Sequence, residues 1–192
     1  YNKGLSILPT AALPWFRVSW DRELIGHEAG TFVEHADLVA ELLDRIRGGQ
    51  SRIAEYRALL DAVEQKYGVP AQVLVAIWGI ETSFGANQGG KSVIRSLATL
   101  AFLNYKGDFA RDELLTALVI LQQGHIPPER MIGSWAGAMG QPQFIPSSFL
   151  RWAVDFDRDG RRDLWTSVPD VLASIANYLR EHGWQPSMPW GY

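Results

Sequence analysis

Residues 71–80, AQVLVAIWGI, are apolar or small on nearly every side of a helix and run directly into a carboxylate, Glu81. A helix that is apolar almost all round cannot lie on a surface, so this segment predicts a buried central helix around which the remaining elements must pack. Glu81 stands at i+3 from Trp78, i+4 from Ile77 and i+7 from Leu74, on the same face as these apolar residues. Removing a carboxylate from water favours its neutral form and raises its pKa, which is how a carboxylic acid stays protonated near neutral pH and can donate a proton. A structural glutamate paired with a buried arginine, or one capping the next segment, fits the same position. The residues alone leave both readings standing.

Around this centre the hydrophobic spacing predicts a mainly α chain. Ile53, Tyr56, Leu59, Leu60, Val63 and Tyr67 follow the i, i+3, i+4, i+7 rule from Ser51 onward, and Gly68 closes that helix. Pro70 sits where the central helix can start. Further helices are predicted from Ser92 to about Tyr105, from Phe109 to Gln123 with Gly124 as its stop, and from Pro169 to His182 with Gly183 as its stop. Residues 133–148, GSWAGAMGQPQFIPSS, are rich in Gly, Ala and Ser and poor in charge, which reads as a loop that lets another backbone or a ligand come close. The first 20 residues, with Pro9, Pro14, Trp15 and Trp20, lack periodicity and read as an irregular arm. A boundary is expected near Gly48 to Gln50, giving an N-terminal arm and helical extension over 1–49, a core over 50–185, and in 186–192 the start of a further segment.

Charge and composition exclude several classes. With 18 Lys+Arg against 21 Asp+Glu, the chain offers no electrostatic case for a nucleic-acid partner. No stretch approaches the roughly 20 apolar residues of a membrane span. Residue 1 is Tyr, which suggests a processed product or a cut piece from which any export signal or lipid anchor is already gone. The absence of Cys removes thiolate nucleophiles and Cys-based zinc sites. His27, His35, His125 and His182 show no H-x-x-x-H spacing, so zinc is not expected either. Lys91 in GGKS lacks the strand and the glycine spacing of a phosphate loop. Eight Trp and six Tyr supply flat faces that suit sugar rings, although most aromatics simply pack in cores.

A second constellation is DFDRDGRRD at 155–163. Asp155, Asp157 and Asp159 occupy positions 1, 3 and 5 of an EF-hand-like loop, Gly160 the sharp turn, and the backbone oxygen of Arg161 the next ligand position. Thr166 stands where the bidentate Glu should be. A solvated acidic turn, with a capping box from Ser167 to Asp170 opening the last helix, is the competing reading.

YGVP at 67–70 with VLVAIWGIETSFG at 73–85 resembles the catalytic segment of the lytic murein transglycosylases, specifically the membrane-bound lytic transglycosylase B family. GSWAGAMGQPQFIPSS resembles that family's glycan-binding loop, and VDFDRDGRRDLW with SVPDVLASIANYLREHGW the segment after it. Three segments in order over about residues 51–185 are far more specific than one short motif.

The resemblance implies a lysozyme-like helical catalytic core of the goose type with an N-terminal helical extension. It implies Glu81 as the lone catalytic acid and base, and Ser134, Gln143 and Tyr178 as substrate-binding residues lining a glycan cleft. It also implies Asp170 as the distant ligand of a structural calcium held with Asp155, Asp157, Asp159 and Arg161, and no cofactor for catalysis. The expected activity is cleavage of the β-1,4 bond between N-acetylmuramic acid and N-acetylglucosamine in peptidoglycan with a 1,6-anhydro product. The expected setting is the periplasm, with anchoring to the outer membrane through a removed N-terminal segment. Glycan strands are the expected partners, together with other cell-wall enzymes. The family's polar residue from a further C-terminal lobe has no counterpart before Tyr192. A lysozyme-type hydrolase with a second carboxylate, a non-catalytic glycan-binding module and a calcium-regulated binding protein are the rival readings.

Overall fold

The computed structural model describes residues 32–186; the predicted N-terminal arm and nearly all of the 186–192 tail lie outside the described residues. Of the described residues, 32–46 fall in one compact unit and 47–186 in another. In chain order the elements are α1 (Phe32–Glu55), α2 (Arg57–Tyr67), α3 (Ala71–Thr82), β1 (Lys91–Ser92), α4 (Val93–Phe102), α5 (Phe109–Gln122), a short 3-10 turn (Pro128–Arg130), β2 (Ile132–Gly133), α6 (Pro146–Trp152) and α7 (Val168–Glu181). The mainly α expectation holds.

The central helix is α3. Leu74, Val75, Trp78 and Gly79 are all buried, and α2 and α7 pack against it. Residues 170–176 of α7 are buried without a break, so this helix is enclosed over two turns. Trp78 makes edge-on ring contacts with Tyr56 at 5.8 Å and Phe84 at 5.6 Å, joining the chain on both sides of α3.

One helical expectation needs correction. The helix expected to run from Ser51 to Tyr67 is interrupted at Tyr56, whose ψ of 23° leaves helical geometry and whose ring lies against Trp78. Backbone bonds from Tyr56 N to Arg52 O and from Leu60 N to Tyr56 O continue the ladder across this one-residue step. Gly48 and Gly49, read as lying at a boundary, stand within α1 just after the division between the two compact units at 46/47. A Cβ at Gly48 would stand 2.9 Å from the Phe84 ring and one at Gly79 2.7 Å from it. Helix interiors tolerate glycine at a cost of about 1 kcal/mol, and here two of them make room for one aromatic ring.

The segment read as a loop over 133–148 is more ordered than its composition suggests. β1 and β2 pair antiparallel with Lys91 opposite Gly133 and Ser92 opposite Ile132, and single bridges join Gly133 to Met139 and Met139 to Phe144. The expected close backbone approach is real at Gly89, where φ is +85° and a Cβ would meet Gly133 O at 2.2 Å. The end of the same segment forms α6, which the sequence reading missed. Its Pro146 occupies the first turn, and the cap on Ser147 N comes from Glu113 Oε2 at 2.8 Å, a residue on α5 that local sequence does not bring near.

Candidate active site

Glu81 occupies the last turn of α3 and is half-buried. Among the described residues its carboxyl has no hydrogen-bond or ion-pair partner, and burial alone pushes its pKa up from the ordinary carboxylate value to about 7. The negative end of the helix dipole acts in the same direction. The sequence alternative, a glutamate paired with an arginine or tied up in a cap, is therefore not what the structure shows.

The backbone after Glu81 is held in an unusual form. Ser83, Phe84 and Gly85 have φ of +50°, +60° and +85°, and two of these are not glycine. Non-glycine residues in this region cost on the order of 1 kcal/mol each, so the surroundings must hold them there. Thr82 Oγ1 accepts from Gly85 N at 3.1 Å and donates to the backbone oxygen of Gln141 at 2.8 Å. Ser83 N and Phe84 N donate back to Gly79 O and Trp78 O.

Gln141 completes this framework, and the sequence reading passed it over. Its side chain is buried; Oε1 accepts from Trp78 Nε1 at 2.7 Å and Nε2 donates to Trp165 O at 2.9 Å. Its backbone N–H donates to Leu164 O at 2.7 Å. One amide thus ties the Glu81 helix to the segment before α7. A glutamine among Gly, Ala and Pro neighbours was the available signal, since a buried amide must find partners.

Ser134 and Gln143 lie on the folded 133–144 segment. Ser134 Oγ accepts from Ala136 N at 3.2 Å and Ala138 N at 3.1 Å, so it caps a turn and keeps its O–H to donate. Gln143 has φ +51°, and its Nε2 donates to Gly140 O at 2.9 Å and Gln88 O at 3.2 Å. Both residues organise the loop through one part of the side chain. Tyr178 differs from its expected place lining a cleft: it is 5% exposed, with its ring against Phe144, Trp152 and His182. It is a core residue behind Phe144.

In the acidic loop, carboxylate oxygens of Asp155, Asp157 and Asp170 come within 4.8 Å of one another. Asp170 is fully buried, and Oδ1 and Oδ2 accept from Phe156 N and Asp163 N at 2.7 and 2.8 Å. Its pKa is nonetheless raised to about 6, first by burial and then by the nearby Asp157 charge, against the lowering effect of those N–H groups. Asp159 stands outside this trio. Its backbone N–H donates to Asp155 and Asp157, and its own carboxylate accepts from Arg161 N. The capping box is half formed: Ser167 Oγ accepts from Asp170 N at 3.3 Å, while the Asp170 carboxylate points to the loop instead of back to Ser167.

The family model described as the transglycosylase SLT domain matches residues 32–192. Membrane-bound lytic murein transglycosylase B of Escherichia coli (strain K12) is 40% identical over 143 residues, which are 73% of this chain and 39% of that protein. SltB3 from Pseudomonas aeruginosa, solved in complex with NAG-NAM-pentapeptide, matches with a TM-score of 0.74 and 53% identity over 76% of this chain and 39% of its own. The Escherichia coli lytic transglycosylase Slt35, solved in complex with calcium, matches with a TM-score of 0.71 and 38% identity over 75% of this chain and 46% of its own. The chain thus spans about two fifths of the length of the curated relative it matches. These structures carry the lysozyme-like fold, as the sequence resemblance implied. With most of its length matched by the family model and its relatives well above 30% identity, the chain belongs to the transglycosylase SLT domain family, the lytic transglycosylases.

Proposed function

We propose that this chain is the catalytic part of a peptidoglycan lytic transglycosylase, cleaving the β-1,4 bond between N-acetylmuramic acid and N-acetylglucosamine and leaving a 1,6-anhydro-N-acetylmuramic acid end. The observation that carries the reading is the isolation of Glu81: burial raises its pKa to about 7, and no neighbouring charge contributes to the shift. A hydrolase of the two-carboxylate kind needs a second acid facing the first across the bond. Glu113 is committed to Ser147 N, and Asp170 to the loop backbone. The substrate's own C6 hydroxyl takes the second role.

In this mechanism neutral Glu81 gives its proton to the glycosidic oxygen as the bond from the muramoyl C1 breaks. The resulting carboxylate takes the proton of the C6 hydroxyl, and that oxygen closes on C1. Glu81 ends as it began, and water is neither consumed nor released. Its neutral state near pH 7 makes it an acid at working pH and a matched base afterwards. Ser134, whose O–H stays available to donate, and Gln143, whose Oε1 has no partner among the described residues, hold the muramoyl sugar. Tyr178 serves by backing Phe144, since its buried ring offers a sugar no face.

The reaction needs no cofactor. Asp155, Asp157 and Asp170 suit a calcium ion: three carboxylate oxygens converge, and a buried Asp170 whose charged form is disfavoured by burial and by Asp157 is the kind of group a cation relieves. The Arg161 carbonyl and Asp159, directly or through water, complete the set. Such an ion would restrain the segment before α7 and would take no part in the bond change.

We extend the reading to the chain's setting. The glycan strand is the partner and other cell-wall enzymes are its company; the periplasm is where the substrate lies. No helix among the described residues is long and apolar enough to cross a membrane, and the Escherichia coli relative is called membrane-bound. Residues 50–185 serve as the catalytic core in this reading, within the compact unit of residues 47–186.

Mass analysis of products from purified cell wall tests the activity. Anhydro ends, lighter by one water than reducing ends and free of label in heavy-oxygen water, are expected. Labelled reducing ends would replace this reading with hydrolysis.

A further inference from the structure

One buried residue touches the chain on both sides of Glu81 without being assigned a part in the reaction. Gln141 Oε1 accepts from the indole N–H of Trp78, three residues before Glu81, at 2.7 Å. The backbone oxygen of Gln141 accepts from Thr82 Oγ1, on the residue after Glu81, at 2.8 Å. The amide also lies against Gly85, four residues on, so closely that a Cβ there would stand 2.4 Å from Oε1. The far end of the side chain is anchored. Nε2 donates to the Trp165 carbonyl at 2.9 Å, and Gln88 Nε2 reaches the same oxygen at 3.1 Å, so two amides share it. Trp165 is itself held, its backbone N–H donating to Asp163 Oδ1 at 2.8 Å and its indole N–H to Ile132 O at 3.0 Å. Gln88 leaves its own Oε1 buried with no partner among the described residues. Burying an acceptor unpaired costs stability, so the Nε2 end is what keeps that side chain in place.

We propose that Gln141 is a positioning residue for bond cleavage: by clamping Trp78, Thr82 and Gly85 to the Trp165 carbonyl it sets the place and depth of the Glu81 carboxyl, with Gln88 as the second donor on that carbonyl. The inference rests on the reading of Glu81 as the proton-transferring acid and adds to it the group that aims the acid. A carboxyl with no hydrogen-bond partner of its own has nothing local to fix it, so its position is that of the helix turn on which it stands. A displacement of about 1 Å costs a reaction on the order of a hundredfold. Depth matters as well. Desolvation raises the Glu81 pKa and no charged side chain contributes, so a loosened turn that admits water lowers it again.

The test compares Gln141→Met, which keeps the length of the side chain and removes both polar ends, with Gln141→Glu, which keeps an acceptor and, while protonated, a donor. Formation of anhydro ends on soluble, uncrosslinked glycan strands is followed from about pH 4 to about pH 9, beside thermal melting. Gln141→Met should lower kcat roughly tenfold to a hundredfold with KM within about twofold. The alkaline limb of its rate profile should move down from about 7 towards the ordinary carboxylate range. At about pH 5 Gln141→Glu, neutral in its buried place, should recover most of the lost rate. A lowered melting temperature with kcat and the alkaline limb unchanged would make Gln141 a structural residue and overturn the proposal. So would a Gln141→Glu protein no faster than Gln141→Met at that pH. If Gln141→Met melts below the assay temperature, Gln88→Met decides, since it removes only the second donor from a half-buried loop residue. A smaller shift of the same limb supports the clamp, and an unmoved limb overturns it. A parent protein that forms no anhydro ends would instead defeat the reading of Glu81, and this proposal with it.

Discussion

Glu81 and Asp170 are both removed from water and both hold raised pKa values, about 7 and about 6, yet they are built in opposite ways. Glu81 has no donor on its carboxyl and no charge beside it, and everything that fixes it acts on the helix behind. Asp170 is held by two backbone N–H groups and faces Asp155 and Asp157. Donors aimed at a carboxylate stabilise its charged form, so an acid that must give up and recover a proton near neutrality has to be left without them. An acid meant to meet a cation is better fixed in place, with its repulsion from other carboxylates held in reserve for the ion.

The difference can be broken first at Glu81. Glu81→Gln should lower release of anhydro-muropeptides by at least about a hundredfold, the usual contribution of a general acid, while circular dichroism stays unchanged. Retained activity would show that the lone acid is not the acid.

Asp170→Ala should act on the other side of the contrast. It leaves Phe156 N and Asp163 N without acceptors, each costing about 1–3 kcal/mol, and so should lower the melting temperature by several degrees with catalysis far less affected at low temperature. Millimolar calcium should raise the melting temperature of the parent protein, since an ion that binds only the folded state stabilises by mass action, and Asp170→Ala should abolish that rise. A parent protein indifferent to calcium against chelator would reduce this site to an acidic turn.

A smaller effect sharpens the comparison through pH. The folded pKa of Glu81 lies above its unfolded value of 4.5, so the folded chain keeps a proton that the unfolded chain releases. Stability is therefore full below about 4.5 and falls as pH rises towards about 7, after which the loss is constant. Glu81→Gln escapes this loss, so its melting temperature relative to the parent should climb across that window and then level off. A flat difference would mean the carboxyl is not desolvated.

The smallest effect separates members of the acidic loop. Asp155→Ala should remove most of the calcium increment and Asp159→Ala only part of it, because the Asp159 carboxylate lies outside the converging three.

Most helices are legible from local pattern because hydrophobic spacing records which face is buried, and α3, α4, α5 and α7 lie close to where periodicity and glycine stops place them. Glu81 was legible too, as a charge on an apolar face. The misreadings share a cause. The helix read as unbroken over 51–67 gives way at Tyr56, whose ring meets Trp78, and α6 looks like loop until Glu113 caps it from α5. Gln141 looks like any loop glutamine until Trp78 and Trp165 close around it.

By itself the sequence determined which faces must be buried, where the backbone must turn, and that one acid sits at the end of the most apolar helix. Those properties follow from side-chain chemistry and local geometry, which neighbours along the chain express. Only the tertiary structure decided that Glu81 stands without partners, that Asp170 joins Asp155 and Asp157 while Asp159 does not, and that Tyr178 is buried. Desolvation and hydrogen-bond partnership are properties of the space around a group, and residues distant in sequence fill that space.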